Sequence, residues 1–310
     1  MAEKIKLTFL GTGSAIPTAR RNHPAIYLQY KAENILIDCG EGTQRQFRKA
    51  KLNPCKITKI LISHWHSDHI LGLPGLLQTL NLNGYNGDLI IYGPKGSKTE
   101  FKEKISPYLS FYWNTSKRQG NKFDILVKEV SNGIVFENND FFIESTEMNH
   151  GSPTVAYSFS TKEKNRLDKL KLAKLKLPNS PLIGELIKGN TIEINGKKIN
   201  GKKLMYAEPS KKITFIIDTK INDNAITLAK GADFLISEAT HSADEQEIAE
   251  KYSHLTSIDA AKIAKKAKVK KLALIHLSQR YDMIPKIILN ETKTIFSNVI
   301  VPEDLESLEI

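Results

Sequence analysis

The chain has 310 residues, with 45 Lys+Arg against 34 Asp+Glu for a formal charge of +11, and is 40% hydrophobic and 25% charged. That balance excludes a disordered or collagen-like chain and requires a folded core. No stretch reaches the ~18 consecutive apolar residues of a membrane span, and two cysteines, Cys39 and Cys55, are too few for a disulfide framework.

In chain order, the run Ile5 to Leu10 predicts a strand; it is too short for the apolar region of a secretory leader and no small-residue cleavage site follows, so a cytoplasmic protein is expected. Gly11-Thr12-Gly13-Ser14-Ala15-Ile16 then begins like a dinucleotide fingerprint, but Ile16 stands at the third glycine position and Pro17 where a helix should open. A tight strand-to-loop turn is expected instead. Strands follow at Ala25 to Tyr30, Ile35 to Asp38, Ile57 to Ser63 and Leu89 to Tyr92, with helices at Thr43 to Leu52, Ile70 to Leu82 and Lys98 to Tyr108. Beyond a charged insertion the pattern resumes with strands at Ile213 to Asp218, Phe234 to Glu238 and Leu272 to His276. Helices alternate with these at Ala225 to Lys230, Ala243 to Tyr252 and Ser257 to Lys268. The reading is an α/β protein of two mixed halves, its sheets packed face to face with helices outside.

The insertion is where the charge sits. Residues 162–203 hold twelve basic residues, Lys169, Lys171 and Lys174 among them, against four acidic ones; this is +8 of the total +11. Such a segment attracts polyanions, with affinity that falls as salt rises. Its leucines do not share one helical face and no aromatic anchor accompanies them, which argues against a membrane surface, and Pro178 and Pro181 interrupt any long helix.

His64-Trp65-His66-Ser67-Asp68-His69 places four candidate ligands in six residues directly after an apolar strand. A core histidine is usually solitary, so packing explains this cluster poorly. Imidazole and carboxylate donors without thiolate suit zinc or manganese in an open catalytic site. His150, Asp218 and His276 also each follow an apolar strand-like run. Sheets ending along one edge would gather all seven side chains around two ions, with a carboxylate such as Asp218 able to bridge them.

On these residues the chain resembles the metallo-β-lactamase superfamily and, within it, the ribonuclease Z family. The narrower resemblance rests on Phe9-Leu10-Gly11-Thr12-Gly13, on Asp38-Cys39-Gly40-Glu41-Gly42-Thr43-Gln44, and on Glu238-Ala239-Thr240, His254-Leu255-Thr256 and His276-Leu277-Ser278-Gln279-Arg280. It implies one four-layer αββα sandwich over residues 1–310, with residues 162–203 as a protruding basic arm that grips tRNA. It also implies a zinc-dependent endonuclease that trims the 3′ end of precursor tRNA, acting as a homodimer with two zinc ions per subunit, manganese serving in vitro. His64, His66 and His150 would hold one ion, Asp68, His69 and His276 the other, and Asp218 both. Asp68 would take the proton of the attacking water, and Glu238 and His254 would help protonate the departing 3′ oxygen. Arg21, Asn22 and Arg280 are expected RNA contacts.

The chain departs from the family pattern at Ala19, Ser180, Ser237 and Leu255, where Lys, Gly, His and Ser are usual. An enzyme of small phosphate or sulfate esters shares the core but lacks the arm, and an RNA-binding module with a relict fold would lack turnover.

Overall fold

A computed structural model describes residues 3–115, 123–174, 182–194 and 196–310. The apolar runs form strands buried on both faces, and alternation assigns each residue a side. In β1 (Lys6–Gly11), β2 (Ala25–Tyr30) and β3 (Glu33–Ile37), the residues Leu7, Phe9, Ile26, Leu28, Ile35 and Ile37 face the opposing sheet. Leu10, Ala25, Tyr27 and Leu36 face helices instead. Parallel to β3 run β4 (Lys59–Leu61), β5 (Leu89–Gly93) and β6 (Ile125–Glu129). The helices on the outer face are α1 (Thr43–Lys49), α2 (Ser67–Ile70), α3 (Leu73–Leu82), α4 (Ser97–Glu100) and α5 (Ser106–Thr115).

The second sheet begins with the antiparallel strands β7 (Gly133–Glu137), β8 (Phe141–Glu147) and β9 (Val155–Thr161). The insertion follows, comprising β10 (Lys164–Leu167), β11 (Thr191–Ile194), β12 (Lys197–Asn200) and β13 (Met205–Glu208), with α6 (Lys169–Lys174) and α7 (Leu182–Ile187). The sheet then continues through β14 (Lys212–Ile216), β15 (Phe234–Glu238), β16 (Leu272–Ile275) and β17 (Val299–Ile300), all parallel. The helices α8 (Asp223–Ala229), α10 (Ser257–Lys266) and α11 (Lys286–Lys293) pack on its outer face, and α9 (Gln246–Tyr252) lies in the connection between β15 and α10. A last strand, β18 (Ser307–Glu309), returns to pair with β1, giving two seven-stranded sheets ordered β18-β1-β2-β3-β4-β5-β6 and β17-β16-β15-β14-β9-β8-β7. The layers are thus αββα. Among the described residues no helix is long and apolar enough to cross a membrane.

The structure differs from the sequence expectation where backbones touch. The helix expected over Ile70 to Leu82 is two helices, because the chain turns at Gly72 against Gly40: a Cβ on Gly72 would lie 2.1 Å from the Gly40 carbonyl oxygen. Lys98 to Tyr108 contains a π-helical turn, Phe101–Ile105, between α4 and α5. The Gly11 turn is the tight loop expected: a Cβ there would lie 1.8 Å from the His23 carbonyl oxygen.

The insertion extends to the start of β14, since β13 pairs antiparallel with β10. It has a small core of its own, Leu186, Ile192 and Leu204. Part of its charge is committed at the root: Lys162 pairs with Glu137 at 2.6 Å, Lys164 with Asp140, and Arg166 with Glu208 at 2.8 Å and Glu3 at 3.1 Å. Lys169 opens α6, and Lys171 and Lys174 are exposed on it. The Pro178 to Pro181 stretch, with Ser180, lies outside the described residues.

Candidate metal centre

Parallel strands place their carboxyl-terminal ends along one edge of each sheet, and the loops leaving those ends carry the site. His64 and His66 follow β4, Asp68 and His69 lie on α2, Asp218 follows β14 and His276 follows β16; His150 precedes β9 at the same edge. Asp38, Asp218 and His276, each the first or second residue past a strand, adopt left-handed backbone with φ of 54°, 53° and 57°. For residues other than glycine this conformation costs about 1 kcal/mol or more. Asp218 and His276 thereby face His64, His69 and Asp68 from the other sheet, whereas Asp38 faces Ser63 and His69 of its own.

The seven sequence-predicted ligands do converge. Ligand atoms of His64, His66, His150 and Asp218 lie within 4.8 Å of one another, as do those of Asp68, His69 and His276. Asp218 Oδ2 is 3.5 Å from His64 Nε2 and 3.4 Å from His69 Nε2, joining the groups, and Asp68 Oδ2 is 3.4 Å from Nε2 of both His69 and His276. His64 Nε2, His69 Nε2 and Asp218 Oδ1 are buried without a hydrogen-bond partner. Unpaired buried polar atoms are costly, and three aimed into one nitrogen-and-oxygen cluster fit divalent metal ions. His66 is exposed, so the cluster opens to solvent on that side.

The electrostatics agree. Burial, reinforced by His69, holds the His64 imidazole well below its ordinary value. Burial also opposes charge on His69, but the carboxylates of Asp218, Asp38 and Asp68 outweigh it and raise that group well above. The reverse holds for Asp218: burial disfavours its anion, yet His276 and His69 keep it far below the usual carboxylate range. The Cys39 thiol is pushed up by complete burial and stays neutral.

Around the cluster sits a layer of orienting hydrogen bonds. Asp38 Oδ2 faces His69 Nδ1 at 2.8 Å and accepts from Ser63 Oγ at 2.8 Å; that hydroxyl is 3.1 Å from His64 Nδ1. Glu238 Oε2 accepts from Thr240 Oγ1 at 2.7 Å and faces His254 Nδ1 at 3.1 Å, while Thr240 Oγ1 is 2.8 Å from His276 Nδ1. In each relay the hydroxyl donates to the carboxylate and accepts from the imidazole, which leaves Nε2 of His64 and His276 as lone-pair donors. His150 Nδ1 is likewise 2.9 Å from the Ser253 carbonyl oxygen. Sequence reasoning gave Asp38, Ser63 and Thr240 no role; the one available signal was that Asp38, like the ligands, follows an apolar strand.

Two of the expected site residues lie inside the fold. Glu238 is fully buried and both its oxygens are engaged, Oε1 by the Thr219 amide at 2.6 Å and Oε2 by Thr240 and His254, so it touches His254 directly and His276 through Thr240. Arg21, expected as an RNA contact, is 5% exposed, with its guanidinium donating to Thr12 Oγ1 at 2.6 Å and the Pro302 carbonyl at 2.9 Å; it braces the first loop and is not presented as a surface cation. Asn22 is held by Asp304, which accepts from its backbone N–H at 2.7 Å, and the exposed Arg280 pairs with Glu245. His254 stacks on His276 with ring centroids 5.5 Å apart; burial lowers its pKa, but Glu238 and Asp218 lift it to about 9. Ser237 and Leu255 are interior residues.

Two packed mixed sheets with a His/Asp cluster at their common edge define the metallo-β-lactamase fold. The metallo-β-lactamase fold protein YhfI from Bacillus subtilis superposes with a TM-score of 0.71 at 18% identity over the whole of both chains. The short form of human tRNase Z does so with a TM-score of 0.67 at 25% identity over 98% of each chain. Ribonuclease Z of Methanothermobacter thermautotrophicus is 37% identical across 99% of this chain and 97% of its own length. That of Listeria monocytogenes is 37% identical across 97% and 98%. The chain belongs to the ribonuclease Z family, a family of hydrolytic endoribonucleases. Residues 5–166 also fall within the family described as Anti-Pycsar protein Apyc1, a match that ends before Asp218, Glu238, His254 and His276.

Proposed function

We propose that this chain is a zinc-dependent endoribonuclease that removes the 3′ trailer of precursor tRNA. The observation that carries this reading is the convergence of seven His and Asp side chains with unpartnered buried atoms, in a chain that also bears a basic insertion. His64, His66 and His150 would hold one zinc ion, Asp68, His69 and His276 a second, and Asp218 both. When bound, the pair supplies Lewis-acid polarisation of the phosphate and a water of lowered pKa.

The chain's own residues supply proton traffic and orientation. Asp68 turns Oδ2 toward His69 and His276, which leaves Oδ1 to accept a proton from the attacking water. The water oxygen forms the new bond to phosphorus while the bond to the 3′ oxygen breaks. His254, held through Nδ1 by Glu238, delivers a proton to that oxygen from its other ring nitrogen; an alkoxide would otherwise leave poorly. The tRNA departs with a 3′ hydroxyl and the trailer keeps a 5′ phosphate.

Residues 162–203 act as the tRNA-binding arm. Thr161 and Lys212, where the insertion leaves the sheet, lie at the opposite ends of β9 and β14 from His150 and Asp218. Strands of this length put about 20 Å between the two edges. An arm so placed reaches more readily toward substrate on a second copy, which supports a homodimer. The proposed substrate assigns the protein to the cytoplasm, where precursor tRNA is met.

Incubating the purified protein with a 3′-extended precursor tRNA tests the reading. Zinc-dependent cleavage near the discriminator base, abolished by chelation, is expected. Turnover of an aryl ester or thioester with the RNA left intact would overturn it. Deleting the arm should abolish precursor processing and spare hydrolysis of a small phosphodiester, whereas an enzyme of small esters would keep its main activity.

A further inference from the structure

The arm accounts for only part of the uneven charge. From Asp259 to Lys271 the chain carries six lysines, Lys262, Lys265, Lys266, Lys268, Lys270 and Lys271, against the single acid Asp259. The whole chain is +11, the arm +8 and this strip +5, so everything else together sums to −2. The strip runs from α10 to the start of β16 and therefore crosses the amino-terminal edge of the parallel strands, opposite the metal centre.

The arm leaves from that same edge. Thr161 N donates to the Lys211 carbonyl at 2.9 Å, Lys212 N donates to Asp233 Oδ2 at 2.8 Å, and Lys270 Nζ donates to Asp233 Oδ1 at 2.6 Å. Direct contacts thus link the arm's root to the strip across two strand spacings, about 10 Å. Asp233 neutralises Lys270 and Asp259 pairs with Lys262, while Lys271 lies over the Phe234 ring at 5.7 Å. Lys265, Lys266 and Lys268 are exposed and have no acidic partner among the described residues.

We propose that this strip is a second contact surface for the RNA phosphate backbone, continuous with the arm, engaging the part of a folded RNA that extends past the arm. The proposal rests on the reading that the arm grips such an RNA. Compensation of the α10 dipole accounts for Lys265 and Lys266 in its last turn, but Lys268, Lys270 and Lys271 lie beyond the helix. A lipid surface is the weaker fit. Ala267 and Val269, the apolar residues interleaved with the lysines, are buried in the core and offer no side chain for insertion. Backbone recognition of folded RNA needs charge and shape alone.

The test uses the full-length, zinc-loaded protein carrying K265Q/K266Q/K268Q, with parent and a K198Q/K202Q/K203Q arm variant alongside. Affinity for a 3′-extended precursor tRNA should fall about 3- to 10-fold in the strip variant. The slope of log affinity against log salt should flatten by about 2, as expected for two or three lost phosphate contacts. Hydrolysis of a small phosphodiester should be unchanged, and K265R/K266R/K268R should restore binding. If the glutamines lower the melting temperature, K268Q alone, outside the helix, should still flatten the slope by about 1. Parental affinity and slope in the strip variants, with the arm variant impaired, would overturn the strip and leave the arm standing; parental behaviour in both variants would overturn the arm reading as well. Loss of binding to anionic phospholipid vesicles with RNA affinity unchanged would assign the strip to a membrane surface and likewise end the proposal.

Discussion

The two sheets meet the metal centre with the same device and use it differently. Each ends a parallel strand in a buried carboxylate, Asp38 after β3 and Glu238 in β15, and in each one carboxylate oxygen faces one histidine directly and a second through a hydroxyl, Ser63 or Thr240. On the first sheet both histidines, His69 and His64, point Nε2 at Asp218. On the second, His276 points Nε2 at Asp68, whereas His254 stacks on it from outside. Under the proposed function, one carboxylate–hydroxyl relay orients two metal ligands, and the other orients one ligand and a proton carrier beside it.

The strongest way to break the comparison is at the residue the two sheets share. Asp218→Ala should cost close to ten-thousandfold in turnover, about 5 kcal/mol of transition-state stabilisation, and metal analysis should show both ions depleted; retention of one ion at parental affinity would mean that Asp218 belongs to one half only. His254→Ala should keep full metal content yet lose about a hundred- to a thousandfold on precursor tRNA. An aryl phosphodiester, with a leaving group that needs no proton, should be spared. Loss of metal in that variant would make the two relays equivalent and erase the asymmetry.

Asp38→Asn should weaken both ions by roughly 10- to 100-fold in a competition titration, because its partners fall in different ligand groups; weakening of one ion alone would show that the Ser63 relay carries little. The smallest effects belong to the hydroxyls. Ser63→Ala and Thr240→Val should each lower affinity by about tenfold or less, for the ion nearest His64 and His276 respectively. A change confined to the wrong ion in either variant would contradict the pairing.

Much of this was legible in the sequence because period-2 burial and strand-end loops leave local marks. Ile60, Leu61 and Ile62 announce a buried strand, and His64 to His69 stand at its end where packing has no use for them. What escaped was set by distant contacts. Thr240 resembles any loop threonine until His276, 36 residues on, is folded against it. Arg21 looked like a surface cation, but its loop closes on Thr12 and Pro302. β9, buried along its whole length, has a mixed sequence, VAYSFST, in which serines and a threonine hide the apolar pattern. Charge told a similar story: the +8 of residues 162–203 was visible as a sum, but the use of Lys162, Lys164 and Arg166 to clamp the root was not.

The left-handed backbone at Asp38, Asp218 and His276 bears on any attempt to engineer the protein for heat resistance. Glycine adopts that conformation without the Cβ penalty, and removing buried aspartate or imidazole also removes desolvated polar groups. Selection for melting temperature in metal-free lysate should therefore enrich glycine or asparagine at these three positions and return stable, inactive variants. Directed evolution of this scaffold accordingly needs metal present, or activity scored, from the first round.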